Sequence, residues 1–289
     1  SIRRIEVVDK TLGTALYADD IYLPGMLLGS CVRASYPRAK VLSIDTSAAK
    51  AVEGVVAVFT AEDVPGAKEI GHLVQDYDVM IPVGSITHFL GDAIALVVAE
   101  SAAALEAGKA AVNVEYQPLT PSLSADDSRE DGFEVVHLER NDNLLSYQCV
   151  KRGNADEVIQ NSAHVVTNHY SVPFTDHAFL EPECAVAEVE GEGVHIFSGD
   201  QGVYQTRKEC AMMLGLPQEQ VRVTAMMVGG GFGGKEDMSV QHHAALACYL
   251  LKRPVKVRFT RAESLQIHPK RHAMEMDFTT ACDETGKLT

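Results

Sequence analysis

Val228-Gly229-Gly230-Gly231-Phe232-Gly233-Gly234-Lys235-Glu236 separates an alternating run, Val221 to Val228, from a largely apolar one, Ser239 to Leu251. The first reads as a strand and the second as a buried helix. Five glycines fill the six positions 229–234. That density exceeds the needs of a turn, and each glycine adds to the entropy lost on folding. It makes sense where the backbone takes positive φ and approaches a ligand closely, with N–H groups turned outward. A helix N-terminus directly behind the loop adds partial positive charge, so the expected ligand is anionic. The plain alternative is a tight connection that holds no ligand.

Outward from the loop, Val255 to Phe259 reads as the next strand. Upstream, Val203 to Leu214 is helical and is stopped by Gly215 and Pro217. Ala185 to Val189 and Val194 to Ser198 flank Glu190-Gly191-Glu192-Gly193, a hairpin signal. His164 to Val172 alternates as a strand after a short helix at Ala155 to Gln160. Near the start, Val55 to Phe59 and Ala93 to Ala99 are buried strands, the first preceded by a helix capped near Thr46 or Ser47. Ser101 caps a helix to about Ala111, and Val112 to Tyr116 returns as a strand. Pro118 to Arg140 is polar and proline-led, and reads as a linker. The expectation is an α+β chain: a small layered domain over 1–125, a linker over 126–142, and a mixed α/β domain over 143–289. Met274 to Thr279 alternates, Asp283 to Gly286 turns, and Lys287 to Thr289 begins a return strand. A chain that stops inside a hairpin, and starts with Ser1 rather than Met, is expected of a truncated piece of a longer protein.

Composition narrows the function classes. The net charge of -15, the absence of Trp and an aromatic content of 6% exclude the basic, stacking surface that nucleic acid requires. No run of about 18 apolar residues is present, so no membrane span is expected. With no secretory signal either, the expected location is cytoplasmic. Cys31, Cys149, Cys184, Cys210, Cys248 and Cys282 are scattered, without the close spacing that zinc or iron–sulfur ligation uses. Reduced thiols are the simpler reading. His242 and His243 are neighbours on a helix and are expected to point apart, which argues against a shared metal.

Two nucleotide readings fit the glycine loop in part. Gly229-x-x-x-x-Gly234-Lys235 matches a phosphate-binding P-loop, but Glu236 stands where Ser or Thr should hold Mg²⁺. Gly229-x-Gly231-x-x-Gly234 matches a dinucleotide fingerprint, but the acidic residue that should end the next strand is replaced by Thr260-Arg261, and Glu263 comes late. A dinucleotide-binding oxidoreductase therefore stays as an alternative.

A third reading is by resemblance. The glycine segment is similar to the molybdopterin loop of the xanthine dehydrogenase and aldehyde oxidase family. Gly13 to Ile21, Arg33 to Val41, Gly91 to Glu100, Val114 to Leu119 and His177-Ala178-Phe179-Leu180-Glu181-Pro182 resemble other segments of that family in the same order. The resemblance implies a hammerhead-like α+β domain followed by the first part of a molybdopterin-binding domain. It implies a molybdenum-molybdopterin cofactor with no protein ligand to the metal, and hydroxylation of a carbon with oxygen from water. Iron–sulfur clusters and FAD would lie on other subunits or segments. Gly230, Gly231, Phe232 and Gly233 match the loop whose N–H groups face the molybdenum oxo ligand. Glu236 matches a substrate-orienting position in purine-oxidising members, so a purine or related N-heterocycle is the expected substrate. Thr175 aligns where many members carry a glutamine that bonds the oxo group, and a hydroxyl is a shorter, single donor. Gln201 is a candidate for the pterin region, and Glu181-Pro182 a structural bend with a paired carboxylate. The family's general base lies downstream of Thr289, so this chain alone is expected to be inactive. A scaffold or assembly homologue that kept the fold and lost catalysis is the non-enzyme alternative, motivated by Thr175.

Overall fold

The computed structural model describes residues 2, 4–130, 132–137 and 141–289. Ser1 and Arg3 at the start, with Asp131 and residues 138–140 of the expected linker, lie outside the described residues. The strands are β1 (Leu27–Arg33), β2 (Ala39–Asp45), β3 (Val55–Phe59), β4 (Glu69–Ile70), β5 (Tyr77–Asp78), β6 (Ala93–Ala99) and β7 (Asn113–Pro118). They continue as β8 (His164–Val172), β9 (Cys184–Glu190), β10 (Gly193–Ser198), β11 (Val221–Ala225), β12 (Val255–Arg258) and β13 (Met274–Cys282). The helices are α1 (Val7–Leu12), α2 (Ser47–Lys50), α3 (Ala102–Ala111), α4 (Ala155–Asn161), α5 (Val203–Leu214), α6 (Gln241–Leu251) and α7 (Arg261–Ile267).

Two compact units result. One joins Ser1–Pro121 to His177–Pro269, and the other joins Ser122–Asp176 to Lys270–Thr289. Spatial grouping thus differs from the order of segments along the chain, because strands far apart in sequence share one sheet.

The first unit is built on a mixed seven-stranded sheet in the order β11-β10-β9-β12-β1-β6-β3. β1 runs parallel to β12 in the register Leu27↔Val255 and antiparallel to β6. All seven residues of β6 are buried, and the alternation of side chains along a strand explains how. Leu96 and Val98 enter the larger core with α5 and α6, while Ala95, Val97 and Ala99 enter a second core with α3. Burial of both faces is why the β6 sequence reads as continuous Val, Leu, Ile and Ala instead of alternating. α3 starts where Ser101 accepts a hydrogen bond from the Ala104 N–H at 3.2 Å, a local cap that its sequence announces.

Two sequence-based boundaries shift. Regular pairing of β11 stops at Ala225, and α6 begins at Gln241, five residues after Glu236. Between them the chain turns and bends, so no helix N-terminus stands directly behind the glycine loop. The second unit holds a two-stranded antiparallel ribbon of β8 and β13, paired through nine positions from Met274↔Val172 to Cys282↔His164.

Candidate functional site

The loop after β11 carries three positive φ angles: 103° at Gly230, 54° at Phe232 and 89° at Gly233. The value at Phe232 is the informative one. A bulky residue in the left-handed region costs roughly 1–2 kcal/mol, and Phe232 gains little packing in return, since 74% of its surface is exposed. Gly233 beside it has open space where a Cβ would stand. Inside the loop, Gly234 N–H donates to the Gly231 carbonyl at 2.8 Å. Among the described residues nothing accepts the N–H groups of Phe232 and Gly233. Two adjacent amide donors at an exposed, strained turn suit an anionic oxygen.

The underside is closed and polar. Glu181 Oε2 accepts from Gly229 N–H at 2.7 Å and from Lys235 Nζ at 2.8 Å. The Lys235 side chain is buried, with its ammonium 4.7 Å from the centre of the Phe179 ring. Gln201 Oε1 accepts from Lys235 N–H at 3.1 Å, and Gln201 N–H donates to the Lys235 carbonyl at 2.9 Å. Gly229 must be glycine for space, because a Cβ there would sit 2.5 Å from that of Glu181. Behind Gly234 lie His177 and the buried His268, whose Nδ1 is 2.7 Å from Glu183 Oε1. Burial raises the Glu183 carboxyl, but the His268 contact and backbone bonding outweigh it and hold the group below its ordinary range. Arg261 fastens the approach to Glu181 by donating to the Phe179 and Leu180 carbonyls at 2.7 and 2.8 Å. Asp200 is buried next to Gln201 and accepts from Thr206 Oγ1 at 2.6 Å and Gln241 Nε2 at 3.4 Å. Burial pushes its carboxyl up despite those bonds.

These contacts decide between the readings of the loop. A P-loop lysine must reach the ligand, whereas Lys235 turns underneath to Glu181. A dinucleotide fold places the strands before and after the helix side by side, whereas β10 and β9 separate β11 from β12. With α6 starting at Gln241, the expected helix dipole is also missing from the loop. Of the features expected to favour an anion, the backbone turn alone remains.

Glu236 is exposed at the end of the loop. Gln201 is exposed as well, but its carbonyl oxygen is engaged with Lys235. Thr175 belongs to the second unit, where its Oγ1 donates to the Pro173 carbonyl at 3.2 Å and accepts from Arg271 Nη2 at 2.9 Å. Its one hydroxyl hydrogen is therefore already used. His242 and His243 are fully buried with ring centres 3.9 Å apart, closer than the expectation that they point apart. Among the described residues no group of three metal-ligating side chains occurs, and every cysteine is free. No helix among them is long and apolar enough to cross a membrane. The Glu181–Lys235 and Glu183–His268 pairs are the parts that sequence reading left incomplete. Their members stand 54 and 85 positions apart, and no local pattern joins them.

The model of the molybdopterin cofactor-binding domain matches residues 136–289, and that of the aldehyde oxidase and xanthine dehydrogenase a/b hammerhead domain matches 12–120. The chain belongs to this family. As a member of the molybdopterin-binding large subunits, it is 34% identical over 280 residues to a probable xanthine dehydrogenase subunit of Bacillus subtilis, covering 96% of this chain and 37% of the relative. It is 32% identical over 286 residues to the nicotinate dehydrogenase large molybdopterin subunit of Eubacterium barkeri, covering 99% of this chain and 66% of that one. The aldehyde oxidoreductase of Desulfovibrio gigas superposes with a TM-score of 0.91 at 27% identity, over 99% of this chain and 33% of that one. This large-subunit chain thus spans about a third to two thirds of the length of these three relatives.

Proposed function

We propose that the chain is part of a molybdenum hydroxylase that oxidises a purine or related N-heterocycle with oxygen from water. The observation that carries this reading is the strained Phe232–Gly233 turn with its two free N–H groups. Their fixed dipoles suit an oxo ligand, while Lys235 is tied beneath the loop to Glu181. Molybdenum held by the pterin would supply the oxygen transfer and two-electron chemistry when bound.

Glu236, exposed beside this turn, is the group to accept an N–H of the heterocycle and orient it. Gln201 acts on the loop through Lys235 in the geometry observed, and contact with the pterin would use its amide nitrogen. Any donation by Thr175 would first require its hydroxyl to leave the Pro173 carbonyl. Of the relatives named above, two carry an N-heterocycle in their names, xanthine and nicotinate, and one an aldehyde, so the choice of a heterocycle rests on Glu236. The remainder of the large subunit would carry the general base, so the chain by itself is inactive. Iron–sulfur and FAD-bearing subunits or segments would take the electrons, in the cytoplasm. The free turn amides favour this catalytic reading over a scaffold.

The test is Glu236→Ala in the complete enzyme, assayed with a purine and with an aldehyde. A lost hydrogen bond to a charged group, about 1.5–3 kcal/mol, corresponds to a fall of roughly 10- to 150-fold in kcat/KM for the purine. Aldehyde turnover should change little. Equal losses on both substrates would remove Glu236 from substrate recognition.

A further inference from the structure

We propose that Glu181 and Lys235 form a positioning clamp, in which a single carboxylate oxygen fixes both ends of the glycine loop and thereby aims the Phe232–Gly233 amides. The inference rests on the reading of those amides as the cofactor-facing donors, and it adds residues that this reading does not itself require.

The geometry is specific. Glu181 Oε2 receives Gly229 N–H at 2.7 Å, at the start of the loop, and Lys235 Nζ at 2.8 Å, at its end. Glu181 N–H also donates to the Gly229 carbonyl at 3.2 Å, so the first residue of the loop is held on both its polar groups. Lys235 is likewise held on both by Gln201. Two ends tied to one side chain have a fixed separation, and the chain between them must bulge outward. Glycine alone would let that bulge sample many shapes, yet Phe232 is held at a φ that its side chain disfavours. Such strain persists only where surrounding structure over-determines the backbone, and the clamp is the structure that does so.

The ionic partner follows from burial. Lys235 is 3% exposed, and a buried ammonium must be paired and hydrogen-bonded to stay charged. Glu181 supplies the pairing, and the Phe179 ring supplies a face 4.7 Å away. Removing the ammonium would leave an uncompensated carboxylate under the loop, which would draw loop N–H groups inward and away from the exposed face.

The test measures the loop directly. In the complete protein without cofactor, amide hydrogen exchange over residues 228–236 is compared among wild type, Lys235→Met, Lys235→Arg and Glu181→Gln. The clamp predicts at least tenfold faster exchange in this segment for Lys235→Met, with β6 unchanged. Lys235→Arg should return it toward wild type, and Glu181→Gln, which keeps an acceptor for Gly229, should fall between. Wild-type exchange over 228–236 in both Lys235→Met and Glu181→Gln would overturn the clamp, as would faster exchange spread equally over β6. Molybdenum-loaded enzyme gives the second readout. If the aimed amides face the cofactor, Lys235→Met shifts the Mo(V) resonance and lowers kcat about tenfold or more at constant KM. Faster loop exchange with an unaltered Mo(V) resonance would uphold the clamp and sink the cofactor-facing reading instead.

Discussion

The seven-stranded sheet and the β8–β13 ribbon use the same backbone ladder and are stabilised in opposite ways. Every residue of β6 is buried, and alternate side chains feed two cores. Eight of the nine residues of β8 are exposed, and most of β13 is too. The ribbon's register is held from strand to strand. Thr167 meets Thr279 at 2.9 Å, His169 lies between Asp277 and Glu275 at 2.9 Å from each, and Tyr170 meets the Phe278 ring edge-on at 5.9 Å. Burial sets register in the sheet, since a slip of one residue would turn each apolar set to the wrong face. In the ribbon that task falls to cross-strand pairs, each contributing only about 0.2–1 kcal/mol.

The contrast breaks most visibly in the sheet. Leu96→Ala should destabilise the first unit by about 2–5 kcal/mol, the cost of deleting buried methyl groups and leaving a cavity. Chemical denaturation of the variant checks this, and a loss below about 1 kcal/mol would mean that β6 does not anchor the core.

A pH effect comes next and belongs to the same core. His242 and His243 are buried on α6, and burial pushes His243 down to about 3 and His242 well below its ordinary value. An unfolded histidine binds a proton near pH 6.5 while these buried rings do not. The unfolded state therefore takes up more protons as pH falls below about 6.5, and stability falls with it. Each ring should cost roughly 2 kcal/mol by pH 5. Asp78, raised to about 6 chiefly by burial, works the other way, since its folded form takes up the proton first. Comparing wild type with His242→Leu cancels that contribution. The variant's stability relative to wild type should rise as pH goes from 7.5 to 5, and a constant difference would refute the neutral, buried state of the ring.

The smallest effect is expected in the ribbon. Phe278→Ala removes one cross-strand aromatic pair and should cost about 0.5–1 kcal/mol. Hydrogen exchange should quicken along β8 and β13 and stay unaltered in β6. A loss comparable to that of Leu96→Ala would show that the ribbon is held by more than its own pairs.

The legible parts of the sequence were those governed by local rules. β3, β6, the Ser101 cap, the β9–β10 hairpin and the α5 stop at Gly215 all lie where periodicity and capping residues put them. The glycine loop was visible for the same reason, since its composition is a direct record of backbone demand. Other features depend on distant partners. The pairing of β1 with β12, the turn of Lys235 toward Glu181, and the start of α6 at Gln241 instead of close behind the loop are set by packing. The last of these removes the expected helix-dipole contribution from the loop. The hydroxyl of Thr175, read as a possible donor, is committed to Pro173 because Arg271 pairs with that stretch of backbone.

The parallel pairing of Leu27 with Val255 has a consequence for synthesis on the ribosome. β1 and β6 can pair as soon as β6 emerges, but the other edge of β1 waits until β12, which begins 222 residues after β1 ends and 156 after β6 does. Through that interval a largely apolar strand presents an open row of N–H and C=O groups, the kind of template on which nascent chains associate wrongly. Closing so distant a pair is also intrinsically slow. Production of this protein should therefore depend on how quickly translation reaches residue 258, and on chaperones that cover the β1 edge until then.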